Sequence, residues 1–248
     1  MFKLYLLFYL LIHILGDFYF QSEKLAKGKN KSIIKLFNHC IIYLIVSIVV
    51  TIPVFSLNLL LSVVILSFIH GIIDFCKFFI NKKYKIEKRT IYFIDQGLHI
   101  LFIVLLSYFM TIKQISIIPQ YIVSNFLQVI ELNNIHYLSW LVMILLIFKP
   151  ANITIKETLS IYKPNESKKI GDVIDNDKRT GSLIGSLERF IILILLAFHE
   201  YSAIGLVLTA KSVARYNKIS EDKNFAEYYL LGTLLSTLIV ILIYILVF

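Results

Sequence analysis

The sequence predicts an all-α membrane protein, a polytopic transmembrane helical bundle of about seven or eight helices. Three observations carry this. The 248 residues are 58% hydrophobic, with a mean hydropathy of +0.79. Apolar runs of about 20 residues recur, the length that crosses the hydrocarbon core of a bilayer. The short alternating segments of a membrane β-barrel are absent. The formal net charge is +9. In a membrane protein lysines mark topology, so no nucleic-acid partner is expected; the first partner is the lipid bilayer. Cys40 and Cys76 make no disulfide framework and are expected as small buried residues near helix ends.

The first helix is read over Phe2–Phe20, as an uncleaved span. One basic residue precedes its apolar core, but no small-x-small cleavage site follows, and His13 and Asp17 interrupt its end. A basic loop with Lys24, Lys27, Lys29, Lys31 and Lys35 comes next. The second helix covers Leu36–Ile52 and stops near Pro53. The third covers Leu57–Ile80 and leads into Lys82, Lys83, Lys85, Lys88 and Arg89. The fourth covers Thr90–Thr111. Within 112–136, the stretch Ile115–Glu131 is broken by Pro119 and is read as lying along the interface. A short apolar run, Tyr137–Phe148, stops at Lys149–Pro150, and the polar segment Ala151–Thr180 contains Pro164. The sixth helix is read over Gly181–Phe198, a short seventh over Tyr201–Tyr216, and a last span over Tyr228–Phe248. The chain thus divides into a four-helix unit at 1–112, an interfacial segment and short membrane helix at 113–150, a polar cytoplasmic loop at 151–180 and the C-terminal membrane helices at 181–248.

Placing the loops 21–35, 81–89, 151–180 and 217–227 in the cytoplasm puts every strongly basic loop inside. Lys3 alone violates that rule mildly. This topology needs eight crossings of the cell membrane with both termini outside. The fifth and seventh segments are short, and a half-crossing at either gives six or seven.

On this topology the ionisable residues gather at one depth. His13 and Asp17 fall near the cytoplasmic end of the first helix, and His39 near the start of the second. His70 and Asp74 fall near the end of the third, and Asp95 and His99 near the start of the fourth. Residues four apart share a helix face, so the mirrored pairs His70/Asp74 and Asp95/His99 meet at the mouth of one hairpin. A bare carboxylate at that depth costs several kcal/mol. It must therefore bind a metal, pair with another group or face water. Imidazole with carboxylate suits Zn²⁺, Mn²⁺ or Fe²⁺. The candidate ligands are His13, His39, His70, Asp74, Asp95 and His99, with Asp17, Asp74 or Asp95 as ligand or catalytic general base. The set exceeds what one tetrahedral zinc needs, so it includes residues that orient ligands or it holds two metals. Competing readings are a structural polar network, with Asp74–Lys77 as a candidate pair, and an ion or proton path. Gln21 and Gln96 flank the cluster; Cys76 points to a different helix face.

In the C-terminal half, Arg189, Lys211 and Arg215 suggest a site for an anionic group such as a lipid phosphate. The competing reading is snorkelling with salt bridges such as Glu188–Lys211 or Glu227–Arg215. Gly181, Ser182, Gly185 and Ser186, like Gly232 and Ser236, form small-xxx-small faces of the kind that pack helices closely.

The pattern His13-x-x-x-Asp17 with Gln21, then His39, His70-x-x-x-Asp74-x-x-Lys77 and Asp95-Gln96-x-x-His99, resembles the bacterial membrane family catalogued as domain of unknown function 3307. The resemblance covers residues 1–112. The stretches around Gly185-x-x-Glu188-Arg189, Ala210-Lys211-Ser212-x-x-Arg215 and Glu227-Tyr228-x-x-x-Gly232-Thr233 are similar to the downstream region of the same group. The resemblance implies no activity. In chemistry alone, His and Asp at helix ends are similar to membrane-embedded metal-dependent hydrolases.

The leading expectation is a metal-dependent hydrolase of a lipid-linked, phosphate-bearing or other membrane-borne substrate. The alternatives are an ion or proton transporter or channel, and a non-catalytic scaffold or partner subunit. Isoleucine, lysine and asparagine usage points to an AT-rich bacterial genome.

Overall fold

The structure is a computed structural model that describes residues 1–84, 86–131, 135–162 and 171–248. Lys85 of the basic turn and Pro164 of the polar segment lie outside them. Eleven α-helices follow one another among the described residues: α1 (Phe2–Ile14), α2 (Glu23–Lys29), α3 (Ile33–Thr51), α4 (Leu57–Lys83), α5 (Lys88–Ile112), α6 (Tyr121–Val129), α7 (Ile135–Thr158), α8 (Gly171–Ala197), α9 (Tyr201–Val213), α10 (Tyr216–Glu221) and α11 (Lys223–Val247). Seven stretches are long and apolar enough to cross a membrane: 2–19, 33–54, 57–83, 88–112, 136–161, 180–197 and 223–247. The chain is therefore an all-α membrane bundle.

The chain forms two compact units, Met1–Val142 and Met143–Phe248. In the first, α1, α3, α4 and α5 close into a ring, each packing on the next and α5 returning to α1. Tyr5, Phe8, Tyr9, Ile12, Tyr43, Leu59, Val63, Leu66, Ile103 and Met110 fill its centre. The outside is apolar too: Ile45, Val49, Leu61, Phe68, Leu101 and Leu105 are exposed. Lipid, unlike water, imposes no penalty on that face. Cys76 is exposed and Cys40 only half-buried, which corrects the expectation that both are buried. In a bilayer an exposed face is a greasy one, and a thiol is tolerated there.

Local chemistry sets the boundaries. Ser56 caps α4 by accepting from Leu59 N at 3.2 Å, and Asp222 caps α11 through Phe225 N at 3.0 Å. Pro53, in the 3₁₀ turn Ile52–Val54, ends α3. Pro119 precedes α6 rather than breaking it; this nine-residue helix buries no residue, and Tyr121, Ile122 and Val129 stand open.

The largest departure from the sequence reading is around Pro150. The apolar run expected to stop there continues as helix to Thr158, with Pro150 inside it. A proline removes one ladder hydrogen bond. The bond lost is the one to the carbonyl of Leu146, four residues earlier; the neighbouring carbonyl, Ile147 O, accepts from Arg189 Nε at 2.7 Å. The segment read as a polar loop is helical over 151–158 and again from Gly171. Its mixed charges resemble a loop, but Thr154, Lys156 and Glu157 are acceptable on a helix end. In the second unit α8 packs on α9 and α11, and α10 on α11. His199, in the left-handed region at φ 59°, turns α8 into α9. Lys211 meets Glu188, so α9 runs back antiparallel along α8. With 13 residues, α9 is about 20 Å long, shorter than the hydrocarbon core.

Candidate metal centre

The first unit brings all seven predicted residues into one buried cluster. His13, His39, His70, Asp74, Asp95 and His99 are at most 5% exposed, and the Asp17 side chain is 6% exposed. Each ring helix contributes. His39 lies in the second turn of α3. Asp74 lies nine residues before the end of α4 and Asp95 seven after the start of α5, roughly 10–14 Å along the helix axes. Asp17 comes from an element that the sequence did not announce, a π-helical turn at Leu15–Tyr19. A π turn adds a residue per turn and re-aims the side chains that follow, a feature frequent at functional sites. It swings Asp17 towards α3 and α4 while His13 stays in register on α1.

Three atoms form a tight triangle. His39 Nε2 and His70 Nε2 are 3.1 Å apart, and Asp17 Oδ1 is 3.1 Å from the first and 3.3 Å from the second. A cation about 2.1 Å from each of three donors spaces them about 3.0–3.4 Å apart, from octahedral to tetrahedral geometry. The triangle fits that window on every side. Around it lie two further groups whose ligand atoms sit within 4.8 Å of one another, His13/His70/His99 and Asp74/Asp95/His99.

Surrounding residues hold the ligands. Gln21 Nε2 lies 3.1 Å from His39 Nδ1; an amide's nitrogen and oxygen are exchanged by a simple flip, and the flipped amide, with Oε1 towards the ring, accepts the Nδ1–H and frees the Nε2 lone pair that a metal needs. His13 Nε2 donates to Gln96 Oε1 at 3.3 Å. Tyr43 stacks flat on His70, ring centres 3.8 Å apart and 9° from parallel. Gly16 makes that stacking possible, because a Cβ there would lie 2.5 Å from the Tyr43 ring. Gly16→Ala is therefore expected to push Tyr43 off His70. The overpacking costs about 1–3 kcal/mol, and metal affinity falls about 10–100-fold. Thermal unfolding and a metal titration of this variant, side by side, measure the two effects.

Two lysines complete the cluster, one of them missed in the sequence. Lys29, 7% exposed, donates to Asp74 Oδ2 at 2.8 Å. Burial alone would lower its pKa, but the carboxylates of Asp17 and Asp74 outweigh it and hold the ammonium above its ordinary value. Lys77 does not pair with Asp74, as the sequence suggested, but donates to Asp95 Oδ2 at 2.7 Å. Lys29 was hidden among five lysines of similar context. It is singled out only because α2 folds back on α3. The cluster thus sets three carboxylates against two ammonium groups and keeps one negative charge before any imidazole is counted. A buried net charge is costly, so this arrangement favours a proton or a cation. Several atoms also lack a hydrogen-bond partner: His13 Nδ1, Asp17 Oδ1, His70 Nδ1, Asp74 Oδ1, Asp95 Oδ1 and His99 Nε2.

The three basic residues of the second unit do not form one set. Arg189 is 2% exposed, and its donors go to Ile147 O, Ser236 Oγ, Asn152 Oδ1 and Ser186 Oγ. Lys211 pairs with Glu188 and donates to Thr233 Oγ1 at 3.2 Å. Arg215 is exposed and shares only the Tyr229 ring with Lys211, at 5.9 and 5.3 Å. Ser186 and Ser236, read as small packing residues, accept from Arg189.

A family model described as protein of unknown function (DUF3307) matches residues 5–130, about half of the chain and all seven cluster residues. Neither a curated protein nor a solved structure matches the chain.

Proposed function

The chain belongs to the DUF3307 family of proteins of unknown function, and on that premise we propose that it is a cell-membrane protein with one divalent metal bound by Asp17, His39 and His70. The observation that carries this is the Asp17–His39–His70 triangle, with sides of 3.1, 3.1 and 3.3 Å. Two imidazoles and one carboxylate on one face of a metal leave the opposite face open, the arrangement of a reactive rather than a purely structural centre. Charge supports the same reading: one divalent cation with one hydroxide neutralises the cluster's remaining negative charge. A metal here would bring the pKa of its water towards about 7, and Asp74, whose Oδ2 is 3.2 Å from His39 Nε2, is the carboxylate placed to take the proton. The reaction class is metal-assisted hydrolysis of a membrane-borne, lipid-linked substrate.

The test is the metal content of the protein purified without chelators. About one equivalent of Zn, Mn or Fe per chain is expected, and a metal-free protein overturns the reading. The transporter alternative needs a chain of exchangeable polar groups leading away from the cluster. Buried hydroxyls are present beyond it, but Ser47, Ser67, Ser107 and Thr51 all donate to carbonyls of their own helices. Ser67 Oγ also reaches Ser47 Oγ on α3 at 3.2 Å, and Tyr9 Oη reaches Ser62 Oγ at 2.7 Å; Ser47 and Ser62 in turn end on backbone carbonyls, and short links of this kind favour a fixed centre over a path.

A further inference from the structure

The partnerless atoms are not scattered. Asp74 Oδ1, Asp95 Oδ1 and His99 Nε2 are all buried and all without a hydrogen bond, and they face one another. His99 Nε2 is 3.6 Å from Asp95 Oδ1 and 3.9 Å from Asp74 Oδ1. These gaps are too long for hydrogen bonds. They leave room for a common guest: three donors spread around the equator of a cation about 2.1–2.2 Å away stand about 3.6–3.9 Å apart, wider than the octahedral-to-tetrahedral window, and these three residues each offer a ligand atom within 4.8 Å of the others. The other oxygen of each carboxylate is already held, Asp74 Oδ2 by Lys29 and Asp95 Oδ2 by Lys77. That is how protein metal sites orient carboxylate ligands, with one oxygen on the metal and the other fixed by a donor. The three atoms are distinct from those of the Asp17–His39–His70 triangle. Asp74 links the two sets, its Oδ2 lying 3.2 Å from His39 Nε2.

We propose that Asp74, Asp95 and His99 form a second divalent-metal position, occupied together with a phosphate-bearing anion that bridges it to the first. This rests on the first metal centre. Charge gives the coupling. Two divalent cations with three carboxylates and two ammonium groups leave the buried cluster at three positive charges. Burial forbids that surplus unless anions enter with the second cation. One hydroxide and one phosphate monoester dianion cancel it. The ammonium groups of Lys29 and Lys77 have further N–H donors for phosphate oxygens. Two metals close together on a phosphoryl group stabilise both the attacking and the leaving oxygen, so the substrate class becomes a phosphate monoester, free or on a lipid headgroup.

The experiment uses the full chain in phosphatidylcholine nanodiscs, in phosphate-free buffer, titrated with Mn²⁺. One bound Mn²⁺ per chain is expected. Addition of inorganic phosphate, or of phosphatidic acid to the nanodisc, is expected to raise this to two, with an exchange-coupled pair in the electron paramagnetic resonance spectrum. The arm that responds identifies the source of the phosphate. Asp95→Asn and His99→Gln are expected to stay at one Mn²⁺ in every arm, and that retained ion reports an intact fold. A wild type that stays at one with both anions overturns the second position. Two Mn²⁺ in Asp95→Asn, or two in the wild type without anion, overturn the ligand assignment or the charge coupling. Zero in every arm overturns the first centre as well.

Discussion

His70→Ala is expected to abolish stoichiometric metal binding, whereas Gln21→Ala weakens it about 10–100-fold. The difference lies in what each residue touches. His70 Nε2 is one corner of the Asp17–His39–His70 triangle. Its loss leaves two donors, too few to replace the hydration of a divalent ion. Gln21 touches no ligand position and only fixes the His39 ring through Nδ1. Metal analysis of the two variants beside the wild type, with competition against a chelator of known affinity, separates them. A structural polar network predicts the opposite ordering of readouts: both variants lose stability and metal content does not change. Equal metal content in wild type and His70→Ala therefore sinks the assignment.

Arg189→Met is expected to destabilise the second unit by about 1–3 kcal/mol for each buried acceptor it leaves unpaired. Arg189 joins α7, through Ile147 O and Asn152, to Ser186 of its own α8 and to Ser236 of α11. Methionine fills similar volume but leaves those acceptors unpaired in a site that water does not reach. Arg189→Lys is expected to recover little, because one ammonium cannot span the acceptors that a planar guanidinium reaches on three helices. Thermal unfolding in detergent measures both. Arg215→Ala, at an exposed residue, is the control and is expected to leave the unfolding temperature unchanged. A wild-type unfolding temperature for Arg189→Met shows that the network does not hold the helices.

The C-terminal half shows how misleading isolated residue types are. Arg189, Lys211 and Arg215 left two readings open, an anion site or salt bridges such as Glu188–Lys211, because helix positions in sequence carry no partner information. In the fold Arg189 turns towards α7 and α11 and Lys211 towards Glu188. Pro150 failed as a stop signal for a similar reason. A proline costs a helix one hydrogen bond, which tertiary packing can absorb, and the contact made next to it, Arg189 to Ile147 O, comes from 39 residues downstream.

The sequence by itself determined that the chain is a membrane helical bundle, because length and hydropathy of a span are local properties set by the bilayer. It also determined which residues assemble in the first unit. A histidine or carboxylate at membrane depth is too costly to leave alone, and His13, Asp17, His39, His70, Asp74, Asp95 and His99 share one depth, which made a common cluster their readiest way to be satisfied. Only the tertiary structure decided how. The His70–His99 hairpin contributes to two groups of donors rather than one, with His70 beside Asp17 and His39 and with His99 facing Asp74 and Asp95. Lys29 and Lys77 divide the carboxylates between them, and a π turn aims Asp17. These depend on ångström-scale separations between helices far apart in sequence, and the period of a helix fixes the face of a residue but not its neighbour.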